Sequence, residues 1–379
     1  MVERARVHHV SFDRAGESFE PLVVDSAADH RGTILLVLTP GLVVDQRVAD
    51  LLARHGGSVG AHRRLLNRRR GSEARGPRLE SAIITETSTP PAGDAICTNR
   101  AVLDRWQPIA PLEELRPGEV RTTTLLGEAV ACTVEADGQA KAWRVADPDD
   151  ALPVLSAYCC LWTCLGEPLH PLFEIPEAAE PDRRVIHAGT IGVHVSAPRA
   201  IENFLDMAHF PYVHTGILGV EPFTQVNDYD VHVDPDTNEV WATDCVFWQP
   251  MAATTSTEGQ MSDYLYRVPH PYCVSLYKTT PVDPERMDVI ALFCQPVAED
   301  VIAAHMFLCL LDSQNPEPAI RHFQQTIFGQ DKPILENQYP KRLPLDPRAE
   351  TPIRADRVAI AYRRWLTDLG VTYGVIPAP

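Results

Sequence analysis

Between residues 199 and 219 the chain reads R-A-I-E-N-F-L-D-M-A-H-F-P-Y-V-H-T-G-I-L-G, and no other stretch constrains the fold as strongly. It gathers Asn203, Asp206, His209 and His214. If residues 200–213 are helical, Asn203, Asp206 and His209 follow one another by a turn and share a face. His209 and His214 then point about 140° apart at 3.6 residues per turn. They can grip one ion only if the helix is distorted, and Pro211, which lacks an N–H, predicts that distortion. Neutral imidazole is the commonest metal ligand. Spacing alone leaves two readings open: a pair of metal ligands, or two histidines satisfied at the surface or in the core.

A metal held by two imidazoles needs a further donor from elsewhere. Residues 321–338 place Phe323, Ile327, Phe328, Ile334 and Leu335 at helical spacing. Pro333 removes the bond to the carbonyl of Gly329 and predicts a kink beside Asp331. On this pattern Asp331 and Glu336 are equally eligible, and either is also an ordinary solvated helix carboxylate. His322 is expected at the surface.

The rest of the chain frames these two helices with strands. Segments 120–126, 129–135 and 140–145 alternate, with a hairpin signal at Asp137-Gly138. Residues 184–195, 225–233, 239–248, 264–268, 272–279, 287–296 and 301–311 read as further strands, and 316–338 and 353–369 as helices. The fold class is therefore α+β, a twisted antiparallel sheet against long helices. The first 95 residues differ in texture: a possible strand region at 33–44, then an Arg-dense, Gly-broken run at 62–78 that reads as a solvated linker. A net charge of −17 argues against nucleic-acid and anionic membrane partners. Nine scattered cysteines, mostly in apolar runs, read as reduced thiols and a cytoplasmic location. No apolar run is long enough to span a bilayer.

The string I-E-N-F-L-D-M-A-H-F-P-Y-V-H resembles the mononuclear-iron motif of the Rieske-type non-haem iron oxygenases, and F-G-Q-D-K-P-I-L-E-N-Q resembles the segment that carries their iron-ligand Asp. Y-R-V-P-H-P-Y-C and P-K-R-L-P-L-D-P-R-A-E-T-P-I-R-A-D-R extend the likeness, which covers most of the chain after Val185. It implies a helix-grip catalytic domain over 169–379 with Fe(II) held by His209, His214 and Asp331, a 2-His-1-carboxylate set with open positions for oxygen. Asn203 would orient the site. Asp206 would fix His209 and lie on the electron route. Residues 99–168 resemble a Rieske domain whose cluster loops are missing: no Cys is followed by His at the two- or three-residue offset, and no His lies between Arg100 and Leu169. Cys159 and Cys160 are adjacent and read as buried structural thiols, since strand neighbours alternate sides. Residues 1–98 are read as an N-terminal extension, partly disordered and of unknown role, and the likeness supplies no counterpart for the first 95.

More narrowly, the chain resembles the cluster-less subunits of bacterial N-demethylases that act on methylxanthines. The resemblance implies an oxygenase component that hydroxylates an N-methyl carbon of a 7-methylxanthine-like heterocycle with O2 and releases formaldehyde. Electrons from NAD(P)H would arrive through a reductase carrying a Rieske [2Fe–2S] cluster, since this chain holds none. Homologous oxygenase subunits in a hetero-oligomer or trimer are further expected partners. An O-demethylase or ring-hydroxylating oxygenase and a non-catalytic structural subunit are the competing readings. A metal-free helix-grip binding protein has no use for the His–His–Asp set, and a zinc hydrolase lacks its H-E-x-x-H base.

Overall fold

The computed structural model describes residues 96–251, 258–280 and 282–378, so the expectations for 33–44 and 62–78 lie outside the described residues. Two small antiparallel sheets come first. Strands β1 (Gln107–Pro111), β2 (Arg121–Leu125), β3 (Glu128–Val134), β4 (Ala140–Arg144), β5 (Asp147–Leu152), β6 (Val154–Ala157) and β7 (Cys160–Thr163) form one sheet in the order β2-β3-β4-β5 and another in the order β1-β7-β6. The turn expected at Asp137-Gly138 joins β3 to β4, with Gly138 at φ +86° where a side chain is disfavoured. β5 and β6 were not legible in the sequence. β5 is an edge strand whose first five side chains are exposed, so backbone pairing to β4 forms it without any apolar alternation.

The large sheet follows: β8 (Arg184–Val193), β9 (Asp230–Val233), β10 (Val240–Gln249), β11 (Gln260–His270), β12 (Cys273–Thr279), β13 (Met287–Ala298) and β14 (Val301–Leu310). Its seven strands run β8-β14-β13-β12-β11-β10-β9, each antiparallel to its neighbour. The strand expected over 225–233 shortens to β9; the other expected strands of this sheet stand within a few residues of their sequence limits.

Period-two alternation gives this sheet two buried faces. On one, Tyr277 of β12, Phe293 of β13 and Phe307 of β14 pack on Cys160 and Trp162 of β7. The small sheets are also stitched to β13 by Leu126 N–H donating to the carbonyl of Pro296 at 2.6 Å and by Gln295 Nε2 donating to the carbonyl of Thr124 at 2.8 Å. On the other face, Leu276, Ile290, Leu292, Met306 and Leu308 line a cavity closed by helices.

Those helices are α1 (Ala197–Leu205), α2 (Phe210–Val213), α3 (Glu317–Asn337) and α4 (Arg357–Asp368). An ion network locks α1 to α4. Arg199, fully buried, donates to Glu202 at 3.0 Å, to Glu350 at 2.7 Å and to the carbonyl of Pro340 at 3.2 Å. Arg363 of α4 donates to Glu202 at 2.6 Å and pairs with Glu350. Removing one member of a buried network leaves its partners desolvated and uncompensated. Arg199→Ala is therefore expected to lower the unfolding free energy by about 3–5 kcal/mol, measured by urea denaturation; a loss below about 1 kcal/mol would show the network to be solvated.

Candidate metal centre

Helix α1 starts on Ser196, whose hydroxyl accepts from Arg199 N–H at 3.4 Å, with proline in the first turn. It ends at Asp206, which leaves the helical region at φ −84°, ψ 121°. The distortion expected at Pro211 thus comes earlier, and Asp206 and His209 do not continue the face of Asn203. Pro211 instead opens the short helix α2, where its missing N–H costs nothing, while His209 caps that helix at its N-terminal end and His214 at its C-terminal end. The chain then folds back closely over Pro211: a Cβ on Gly219 would lie 2.7 Å from its nitrogen, so only glycine fits.

The break brings the two imidazoles together. Nε2 of His209 and Nε2 of His214 stand 3.0 Å apart. Asp331, on α3, reaches the same point, its Oδ1 3.4 Å from His209 Nε2 and 3.2 Å from His214 Nε2. Glu336, equally eligible on sequence pattern, turns away: it accepts from Lys332 Nζ and from the backbone N–H of His194. α3 runs as one helix through Pro333, which does not end it. His322 is exposed, as expected.

Each imidazole is fixed from behind. His209 Nδ1–H donates to Oδ2 of Asp206 at 3.1 Å, and His214 Nδ1–H to Oε1 of Gln330 at 2.8 Å. With Nδ1–H committed to an acceptor on each ring, both Nε2 atoms present lone pairs. Asp331 Oδ1 is buried and accepts no hydrogen bond from the described residues. Three lone pairs thus converge on one point, an arrangement that is repulsive until a cation occupies it. The donor set, two nitrogens and one carboxylate on one side, fits a ferrous ion with open positions. Gln330 was missed in the sequence, where nothing but its place beside Asp331 marks it.

The triad lines the cavity, with Asn203 and Phe210 also in its wall. Among the aromatic residues of the large sheet, Tyr264 lines the cavity, whereas Tyr277 and Phe293 face the opposite side. Phe247 packs on Phe210 with ring centroids 5.5 Å apart, and Trp248 stacks on Phe223. The cavity wall is mostly apolar, and its charged side chains outside the triad are Lys278, directly opposite Asp288 in the β12–β13 register, and Asp312. Lys278 Nζ lies 5.8 Å over the ring of Tyr264. Burial pushes its ammonium down to about 7, against the pull of Asp288, whose own carboxyl burial pushes up.

That shift has a thermodynamic consequence. The unfolded chain holds the Lys278 proton up to the ordinary value of 10.5, the folded chain only to about 7. Between the two, the unfolded state binds more protons, so this group's contribution to stability is least favourable below the folded value and improves as pH rises. Urea unfolding across this window is expected to show the rise in wild type and a flatter profile in Lys278→Met.

Residues 193–371 match the family described as the vanillate O-demethylase oxygenase C-terminal domain. A probable methylxanthine N7-demethylase, NdmC, of Pseudomonas sp. (strain TJI-51) is 47% identical over 276 residues, 73% of this chain and 97% of that protein. Methylxanthine N1-demethylase NdmA of Pseudomonas putida is 27% identical over 201 residues, 52% of this chain and 54% of its own length. Among solved structures, NdmA of Pseudomonas putida CBB5 matches with a TM-score of 0.59 at 18% identity, covering 71% of this chain and 90% of that one. Dicamba monooxygenase bound to dicamba matches at 0.56 and 16%, covering 71% and 97%. At these identities the two structural likenesses show the fold alone. With near-half identity across almost the whole of one relative, the chain belongs to the methylxanthine N-demethylase family of Rieske-type oxygenases.

Proposed function

We propose that this chain is the iron-bearing oxygenase component of a multicomponent N-demethylase acting on a methylxanthine-like N-methyl heterocycle, 7-methylxanthine foremost. The observation that carries the reading is the convergence of His209, His214 and Asp331 on one point in the wall of a mostly apolar cavity. A bound ferrous ion would supply the activation of dioxygen there. The chain's own residues do the rest. Asp206 and Gln330 hold both imidazoles in the tautomer that leaves Nε2 free for metal. The apolar walls exclude water and present an N-methyl group towards the triad. Hydroxylation of that carbon yields a hemiaminal, which releases formaldehyde as the hydroxyl proton leaves and the ring nitrogen gains one.

Lys278 and Asp288 supply what a flat dioxopurine needs at its other edge, a donor for a ring carbonyl and an acceptor for a ring N–H. Lys278→Met is expected to raise KM roughly 10–100-fold, the worth of one hydrogen bond to a charged group, with iron content unchanged. An unchanged KM would remove Lys278 from the substrate site.

Residues 99–168 act as a Rieske-like remnant and 169–379 as the catalytic domain, and the absence of cluster motifs in the sequence requires electrons from outside. The donor is a reductase bearing a Rieske cluster, docking where Asp206 opens onto a groove beside Glu202 and Pro347. The test is direct. Purified protein is assayed for iron, then for formaldehyde with NADH, such a reductase and 7-methylxanthine. One iron per chain and stoichiometric formaldehyde are expected. Iron without formaldehyde, in the presence of a reductase competent towards another family member, would overturn the substrate. Absence of iron after ferrous loading would overturn the enzyme.

A further inference from the structure

A second cluster of metal-ligating side chains lies on the opposite face of the large sheet from the triad. Cys160 of β7, His187 of β8 and His305 of β14 are all buried, and one donor atom from each lies within 4.8 Å of the others. The hydrogen bonds around them decide which atoms are donors.

Glu113 is held ionised by the Arg321 guanidinium, which donates to both its oxygens at 2.8 and 2.7 Å and holds its carboxyl down at about 2. A carboxylate only accepts. His187 Nδ1, 3.2 Å from Glu113 Oε1, therefore carries its proton, and Nε2 carries a lone pair. Gln295 is equally fixed. Its amide nitrogen donates to the backbone carbonyl of Thr124 at 2.8 Å, so its carbonyl oxygen is the atom that faces His305 Nε2 at 3.3 Å. His305 Nε2 therefore carries the proton, and Nδ1 carries the lone pair. Both free lone pairs meet the same group: Thr190 Oγ1 lies 3.2 Å from His187 Nε2 and 2.9 Å from His305 Nδ1. A hydroxyl has one proton to give. One imidazole nitrogen is thus left facing an oxygen lone pair in a buried site, beside a cysteine sulfur.

Burial keeps both imidazoles from taking up a second proton, His305 most of all. The Cys160 S–H is a weak donor towards the imidazole lone pair left over; a cation satisfies both imidazole lone pairs and the sulfur at once. From this convergence we infer that Cys160 Sγ, His187 Nε2 and His305 Nδ1 form a second metal site, for a thiophilic divalent ion of the zinc class, with Thr190 Oγ1 or a water as fourth ligand. The set is one soft and two borderline donors, as zinc takes them. Each imidazole is backed by an acceptor, Glu113 or Gln295, as metal-bound histidines are. Binding breaks the S–H bond of Cys160, releases one proton to solvent and forms a metal–thiolate bond; no electron moves. The ion joins the small β1-β7-β6 sheet to two strands of the large one, replacing as a staple what a cluster-less remnant lacks. Cys160 is then a ligand, and the reading of it as a structural thiol applies to its neighbours alone.

Cobalt(II) tests this, because a thiolate–cobalt bond has a near-ultraviolet charge-transfer band that a histidine–carboxylate site lacks. Full-length protein, stripped with chelator and titrated with Co2+, is expected to bind two ions per chain, one of which produces the band and is displaced by Zn2+. In the His209→Ala/His214→Ala variant one ion and the band remain. In Cys160→Ser the band is lost. A wild-type titration without the band, or a band that survives Cys160→Ser, overturns the site, whereas one ion with the band would count against the triad instead. The wild-type titration needs no variant to fold, and none of these readouts depends on demethylase activity.

Discussion

Asp331→Asn is expected to reduce formaldehyde release by roughly a thousandfold or more, with iron content falling in parallel. Metal charge stabilisation is worth several kcal/mol, and about 1.4 kcal/mol is a factor of ten. The substitution keeps size and shape but removes the only anionic ligand of the triad, leaving two neutral imidazoles. It also carries a second, opposite signature. In metal-free protein the buried Oδ1 of Asp331 accepts no hydrogen bond from the described residues and faces two Nε2 lone pairs at 3.4 and 3.2 Å. An amide NH2 in its place donates to them. The chelator-treated Asp331→Asn variant at pH near 8 is therefore expected to melt higher than chelator-treated wild type, by a few degrees for the ~1–3 kcal/mol that an unsatisfied buried group costs. A hydrogen-bonded His–His–Asp cluster with no metal function would move the other way, since there the carboxylate is the favoured partner. The pair of measurements thus separates a metal centre from a polar core motif.

Asp206→Asn is expected to lower reductase-driven turnover about 100-fold, at the upper end of what loss of a residue behind a metal ligand costs. Its two oxygens do different things: Oδ1 accepts from Ala208 N–H at 2.7 Å and fixes the turn that follows α1, and Oδ2 accepts from His209 Nδ1–H at 3.1 Å. Asparagine keeps one acceptor of the two. Orientation of His209 is therefore part of the role of Asp206 whatever else it does, and iron must be supplied in excess for the assay. Gln330→Leu is the control, because Gln330 supports His214 as Asp206 supports His209 but lies on α3 rather than in the groove that opens beside Asp206. If the groove receives the electron donor, Asp206→Asn loses far more turnover with the reductase than with a small chemical reductant, whereas Gln330→Leu loses equally with both. Equal losses in the two variants would reduce Asp206 to a support for the imidazole and remove the docking site.

How much of this was readable in the chain depends on the range of the interaction. The large sheet was legible because its strands alternate: Leu276 and Lys278 of β12 face one way, Cys273 and Tyr277 the other, and that pattern needs no partner to be seen. β5 was not, because an edge strand with solvated side chains carries no pattern. The three triad residues were legible as motif residues, but the helix break that joins two of them was placed at Pro211, whereas α1 ends at Asp206. A proline announces a break in sequence, yet in the first turn of a helix it is harmless, and α1 ends instead at Asp206, whose carboxylate accepts from the N–H of Ala208 in the turn beyond. Gln330, and the pairing of Lys278 with Asp288 across neighbouring strands, depend on register and on which residues of distant elements meet.

The sequence by itself determined the class of fold and the absence of cluster motifs after residue 95, because these follow from local periodicity and residue chemistry; His209, His214 and Asp331 were singled out as a set only through the family likeness. Only the tertiary structure decided that Asp331 rather than Glu336 meets the imidazoles, which ring nitrogens are free, and that Cys160, His187 and His305 come together. At His214 the donor direction is set by a hydrogen bond to Gln330, 116 positions away, which no one-dimensional pattern encodes.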